Sequence, residues 1–380
     1  MAAGARAWFA TPLAELLAAR IRERGPISFA EYMEACLYHP EHGYYTRPQS
    51  QPAADYYTSP DVHPIFARLI ARQLAEMWEC CGQPEPFLVV EAGAGAGRLA
   101  ADLLDFAAHT LPAFYAALHY SAVEISAARR EAASRRLGRH LATGRAALAA
   151  TLPEQIPAGC ILANELFDAM PVHRLVVERG ELREIYVGWD GARFIEQTGP
   201  LSTPELREYF AMQNIALREG QQAEANLAAC RWIEDAGRRL GCGFLLTIDY
   251  GHPAAELYDE RHLRGTLLAY RRHRATEDFY AAPGEQDLTA HVNFTALEQC
   301  GRRAGLETTG FVSQARFLLA LGRAHGFADL YEPGQTELDQ LRARLQLKTL
   351  IFPEGMGETF RVLIQHKGIA RPALTGLALF

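Results

Sequence analysis

The sequence predicts a doubly wound, Rossmann-like α/β fold, on three observations. An apolar run, Phe87-Leu-Val-Val, leads into Glu91 and a turn with glycines at alternate positions, Gly93, Gly95 and Gly97. Arg98-Leu-Ala-Ala-Asp-Leu-Leu then reads as the start of a helix, completing a strand, glycine turn and helix. Two further apolar segments, Leu118-His-Tyr-Ser-Ala-Val and Cys160-Ile-Leu-Ala, end in the polar residues Glu124 and Asn164, as parallel core strands do at a ligand crevice.

In chain order, residues 1–80 read as an N-terminal helical and lid region. Met1 to Arg20 is alanine-rich and acid-poor, as transit peptides are. Leu13, Leu16, Leu17 and Ile21 nevertheless share one helical face and run into Gly25-Pro26, which predicts an ordinary first helix. The tyrosines Tyr38, Tyr44, Tyr45, Tyr56 and Tyr57, with Gly43 and Pro60 as turn residues, suit a segment that covers a ligand, with Tyr57, Thr58 and Ser59 placed to touch it. Residues 81–177 form the first half of the core: the strand before the glycine turn, a strand over 118–124 with its helix over 125–137, and a strand over 160–164. Asp190-Gly191 predicts a tight hairpin, which breaks the βα alternation and marks 178–240 as an inserted subdomain. Residues 241–380 resume the core, with a strand over 244–249, a helix over 294–304 closed by Gly305, a helical insertion near 312–350 and a last strand over 360–364.

At 380 residues and 49% hydrophobic, the chain can bury a large core or a domain and a smaller companion. A net charge of -7 argues against a nucleic-acid partner. The seven cysteines show neither a disulfide framework nor C-x-x-C spacing, so a reducing cytoplasm is the expected compartment and no metal site is expected. No apolar run approaches the roughly 20 residues of a membrane span.

Glycines are needed in the turn because a ligand lies against bare backbone there and because the turn takes positive φ. A dinucleotide site spaces them as G-x-G-x-x-G; here they run G-x-G-x-G, directly behind Glu91. A cationic, phosphate-free ligand such as S-adenosylmethionine (SAM) fits that acidic strand end better than a pyrophosphate does. Glu91, Gly93, Ala94, Gly95, Gly97, Glu124, Ile125 and Asn164 are the candidate cofactor contacts, with Glu124 accepting from the ribose hydroxyls. Asn164, Glu165 and Asp168 leave one strand end, and Asp249-Tyr-Gly-His252 leaves the next. Glu165, Asp168, Asp249 and His252 are therefore the catalytic candidates, as groups that orient an acceptor or take its proton. The competing readings are helix capping by Asn164, first-turn acids favoured by the helix dipole, and an exposed His252. Arg261, Arg264, Arg271, Arg272 and Arg274, with His262 and His273, read as a solvated basic face, with a surface for an acidic partner or substrate as the alternative.

These anchors occur together with Gly25-Pro-Ile-Ser-Phe-Ala-Glu-Tyr-Met, His39-Pro40, Gly43-Tyr-Tyr and Asp55-Tyr-Tyr-Thr-Ser-Pro. They are joined by Ala163-Asn-Glu-Leu-Phe-Asp-Ala-Met-Pro-Val, Ile248-Asp-Tyr-Gly, Pro283-Gly-Glu-Gln-Asp-Leu-Thr-Ala, Gln314 and Phe317-Leu318. The set resembles the MidA family of SAM-dependent methyltransferases, relatives of the methyltransferase-like assembly factor of mitochondrial complex I, over residues 20–365. The resemblance implies a class I SAM-dependent methyltransferase core. It also implies methylation of a protein arginine, by analogy with the mitochondrial member, on a subunit of a respiratory NADH-quinone oxidoreductase. Two departures stand out. Ala96 occupies the place where the family commonly has an arginine between the second and third glycines, and Asn164 is followed by Glu-Leu-Phe in place of the Asn-Pro-Pro-Tyr/Phe of amino-methyltransferases. The second leaves open the acceptor atom, and with it a small-molecule O- or N-methyltransferase and a catalytically idle assembly chaperone.

Overall fold

The computed structural model describes residues 11–47, 58–271, 274–331 and 334–378. Its contacts divide the chain into two units, each assembled from separate stretches of sequence. Over the described residues alone, one comprises those of Tyr57–Phe167, Trp232–Gly251 and Leu297–Phe380; the other comprises those of Met1–Tyr56, Asp168–Arg231 and His252–Ala296. The sequence pattern sets off 178–240 by itself, whereas the contacts group the stretch Asp168–Arg231 with N-terminal and later residues.

The first unit is built on a parallel core. Its strands are β1 (Phe87–Ala92), β2 (Leu118–Val123), β3 (Ala146–Ala149), β4 (Ile156–Asn164), β5 (Leu240–His252), β6 (Glu307–Ser313) and β7 (Phe360–Lys367). They lie in the order β3-β2-β1-β4-β5-β7-β6. The first five pair in parallel, and β7 runs antiparallel to both β5 and β6. The order reverses between β1 and β4, a topological switch point, and open α/β sheets bind ligands outside the carboxyl ends of the strands there. Phe87, Val89, Cys160, Leu162, Phe244 and Leu246 are buried with Ile70, Leu74, Leu103 and Leu104 from the helices Ile65–Cys80 and Arg98–Thr110. Strands covered on both faces need such continuous apolar runs, which is why these segments are recognisable in sequence.

The second unit is antiparallel. Its sheet runs Ile27–Ser28, Glu181–Trp189, His173–Glu178, Gln222–Ala225, with Phe194–Gly199 also on Glu181–Trp189. A separate ribbon sets Leu268–Arg271 between Arg274–Thr276 and Asp287–Thr289; Arg272 and His273 lie outside the described residues. The predicted first helix is Pro12–Arg24, capped by Thr11, with Leu13, Leu17 and Ile21 buried and Leu16 exposed. The hairpin at Asp190 is longer than a two-residue turn. Trp189 pairs with Phe194, and Asp190 Oδ1 accepts from Ala192 N and Arg193 N at 2.8 Å each, so the side chain organises a four-residue loop. No disulfide joins the seven cysteines, all of which lie among the described residues. Among the described residues no helix is long and apolar enough to cross a membrane.

Candidate functional site

The loop after β1 is where the parallel unit exposes backbone. Gly93, Gly95 and Gly97 have φ of 74°, 55° and 74°, all in the left-handed region that glycine takes without steric cost. The three differ in what surrounds them. A Cβ on Gly97 would stand 3.0 Å from Ala133 Cβ, so this glycine serves helix packing. One on Gly93 would stand 3.1 Å from Leu166, whereas one on Gly95 would meet no heavy atom within 4 Å. Gly93 N and Ala94 N both donate to Val123 O, at 2.9 and 3.0 Å, which fixes the turn against the end of β2.

Glu124 leaves β2 at that point. Its Oε2 accepts from Gly95 N at 2.9 Å and its Oε1 from Ser126 N at 2.8 Å, so one buried carboxylate ties the middle glycine to the β2 exit. Ile125 beside it is 61% exposed, an apolar side chain open to a flat ligand. Glu91 is placed differently from the other acids. It is buried within β1, where Tyr120 Oη donates to Oε2 at 2.8 Å. Burial pushes its carboxyl up to about 8; the Tyr120 hydrogen bond opposes this and the nearby Glu124 adds to it. The acid that suggested a cationic ligand thus belongs to the sheet interior as a proton-retaining group.

Asn164 ends β4 directly after Ala163, which is in register with Ala92, so it emerges next to Gly93. Its Nδ2 reaches Glu165 Oε1 at 3.3 Å, while its Oδ1 is buried with no hydrogen-bond partner. A buried acceptor costs about 1–3 kcal/mol when unsatisfied, and such an atom at a switch point suits a ligand N–H. Glu165 has φ 51°, a conformation ordinary side chains rarely adopt, and its N–H donates to Ile248 O at 2.8 Å. Its Oε1 accepts from Ser59 N at 2.8 Å. Ser59 opens the short helix Ser59–Val62, whose carbonyl at Pro60 accepts from Arg98 Nε at 3.1 Å. Thr58 caps this helix, with its hydroxyl 2.7 Å from Asp61 Oδ2. Thr58 and Ser59 are therefore packed close to the start of the helix that follows the glycine turn, while Tyr56 and Tyr57 lie outside the described residues.

Asp249 is fully buried at the end of β5. Its Oδ2 accepts from Leu166 N and Phe167 N at 3.1 and 2.9 Å, and its Oδ1 from Tyr250 N at 2.9 Å. A carboxylate engaged by three main-chain donors positions the Glu165 loop; it is not presented as a proton acceptor. The remaining two catalytic candidates fall in the other unit. Asp168 is buried there, and its carbonyl accepts from Ala290 N at 3.0 Å. His252 sits with His262 and His291, a grouping that sequence spacing gave no reason to expect. Sequence reasoning also missed Ser126, and Arg136, whose Nη1 reaches Ala96 O at 3.0 Å. Arg136 lies in the helix Ala127–Ala142 and secures the turn at Ala96, which has no side-chain donor of its own.

The chain matches the model of a family described as "Putative S-adenosyl-L-methionine-dependent methyltransferase" over residues 69–312. It is similar to a protein from Burkholderia thailandensis whose crystal structure has S-adenosyl-homocysteine bound: TM-score 0.85, 33% identity, covering 96% of this chain and 94% of that one. The Drosophila melanogaster protein arginine methyltransferase NDUFAF7 homolog, mitochondrial, is 28% identical over 393 residues, 94% of this chain and 85% of its own. The Homo sapiens protein arginine methyltransferase NDUFAF7, mitochondrial, is 26% identical over 389 residues, 94% of this chain and 84% of its own.

Proposed function

Because the chain belongs to this family of SAM-dependent methyltransferases, we propose that it methylates the guanidinium of an arginine in a protein substrate. The observation that carries the site is the pairing of exposed glycine backbone with the buried, unpartnered Asn164 Oδ1 at one switch point. The donor set fits SAM. Backbone at Gly93, Ala94 and Gly95 lets the amino-acid end of the cofactor lie close, and Asn164 Oδ1 accepts from its ammonium. Glu124 accepts from the ribose hydroxyls with the lone pairs not directed at Gly95 and Ser126. Ile125 lies against the adenine.

SAM supplies an electrophilic methyl on a sulfonium, so the protein needs neither a covalent intermediate nor a base of unusual strength. Its work is to hold the acceptor nitrogen in line, dry and close. Glu165 is the carboxylate we assign to the guanidinium, since planar charge-assisted pairing orients one nitrogen while leaving another to react. Asp249 acts on Glu165 at one remove, by fixing the main chain at Leu166 and Phe167. The protein substrate is read from the relatives named above, and the sequence resemblance points to a subunit of a respiratory NADH-quinone oxidoreductase.

The test is transfer from methyl-labelled SAM into an extract of cells lacking the gene, followed by mass-spectrometric location of the label. Label on arginine of one protein, lost in Glu165→Gln with SAM affinity retained, is the expected result. Label confined to small molecules would replace the arginine reading with small-molecule methylation.

A further inference from the structure

Three histidines far apart in sequence come together in the antiparallel unit. His252 closes β5, His262 ends the 3-10 turn Glu260–His262, and His291 follows the strand Asp287–Thr289. One ring nitrogen from each lies within 4.8 Å of the other two. The rings are close neighbours, with centroids 5.4 Å apart for His252 and His262, 5.3 Å for His252 and His291, and 6.1 Å for His262 and His291. All three are partly buried.

We propose that these imidazoles hold a divalent transition-metal ion, zinc by preference. Three neutral imidazoles make the borderline donor set that suits zinc, cobalt, nickel and copper, and discriminates against calcium and magnesium. Tetrahedral coordination with bonds of about 2.0–2.1 Å sets the nitrogens about 3.4 Å apart, a closure that small rotations of the rings supply. The surroundings match those of metal-bound histidines, which direct the second ring nitrogen to a carbonyl or carboxylate. His262 Nδ1 is 3.1 Å from the Glu256 carbonyl, so donation there fixes the tautomer and turns the Nε2 lone pair to the metal. The Glu256 carboxylate lies 3.5 Å from His252 Nδ1, and that of Asp259 lies 4.0 Å from His262 Nδ1. The main chain at His291 is fixed by its amide N–H, which donates to Thr266 Oγ1 at 3.0 Å.

A cavity of about 360 Å³ is lined by His262 and His291 together with Arg174, Thr266 and Tyr280. It provides both a path for the ion and room for water or an anionic oxygen as the fourth ligand. The ion would join three chain segments at one point.

The experiment uses the full chain without a histidine tag, stripped with chelator and dialysed. Calorimetry with Zn²⁺ should give one equivalent, and Co²⁺ should develop the visible absorption of a tetrahedral nitrogen site. His252→Gln, His262→Gln and His291→Gln should each weaken Zn²⁺ binding by about 10²-fold or more. Should a histidine variant lose its circular dichroism, Glu256→Gln replaces it, with about a tenfold loss expected from the altered second ligand sphere. No stoichiometric binding by the wild type, or equal affinity in all the variants, would overturn the proposal.

Discussion

The two units use charge in different proportions. In the parallel unit, carboxylates face main-chain donors: Glu124 faces Gly95 and Ser126, Glu165 faces Ser59, and Asp249 faces Leu166, Phe167 and Tyr250. In the antiparallel unit, side-chain partners are added to main-chain ones, as at Glu184, which accepts from Ser202 N at 2.6 Å as well as meeting His173. Arg174 pairs with Glu196 and Gln222 and lies over the rings of Phe29 and Phe279 at 5.3 and 5.1 Å, while His173 meets the fully buried Glu184 at 2.8 Å. Carboxylates aimed at backbone fix loop shape, and loop shape is what a ligand bound through backbone requires. Charges aimed at side chains staple segments that are remote in sequence. Loss of the first kind should appear in ligand affinity, and loss of the second in stability alone.

Asp249→Ala should have the largest effect. It strands three main-chain N–H groups, one buried and two partly buried, and a buried one costs about 1–3 kcal/mol when unsatisfied. With partial relaxation the loss is about 3 kcal/mol or more, read from the denaturant midpoint, and SAM affinity should fall with it. Glu124→Ala comes next: about 1.5–3 kcal/mol of SAM binding, on the scale of charge-assisted hydrogen bonds. Calorimetry should therefore show a dissociation constant about 10–100 times higher. Arg174→Met should cost about 1–2 kcal/mol of stability, because Met keeps the contact with Phe29 and Phe279 and the partly exposed Glu196 can turn to water. Its SAM affinity should stay within about twofold of wild type. Weakened SAM binding in Arg174→Met would break the division of labour between the units.

The parallel unit was far more legible in sequence than its companion, for physical reasons. Strands buried on both faces leave apolar runs, and the glycine turn is forced by φ, so β1, β2, β4, β5 and β7 could each be read within a few residues. The edge strand β3, Ala146-Ala-Leu-Ala, escaped because alanine has little β propensity and short edge strands need no strong pattern. In the antiparallel unit, strands such as His173–Glu178 carry charged residues whose partners lie far along the chain, so local sequence does not reveal them. The site divides in the same way. Glycines and strand-end polar residues mark the proposed cofactor cradle in the sequence. The main-chain partners of Asp249 and the meeting of His252 with His262 and His291 depend on long-range packing and left no local signal.

Glu91 is an exception that sharpens the comparison, since it lies in the parallel unit yet faces a side chain, Tyr120. Its ordinary ionisation near 4.5 is moved to about 8, mainly by burial. Between those values the folded protein holds a proton that the unfolded chain has released, so raising the pH favours unfolding. The stability tied to the neutral acid is complete below about 4.5 and is lost as the pH rises through about 8. One such proton contributes a slope of at most about 1.4 kcal/mol per pH unit, spread over the whole window rather than concentrated at one pH. Glu224 in the other unit is also raised by burial and adds a slope of the same sign, so the decline in wild type is shared. Glu91→Gln should match wild type near pH 5 and then lose stability less steeply from pH 5 to 8, measured by denaturant unfolding at each pH. Equal slopes would mean that Glu91 is ionised in the fold, which would group it with the carboxylates that organise the cradle.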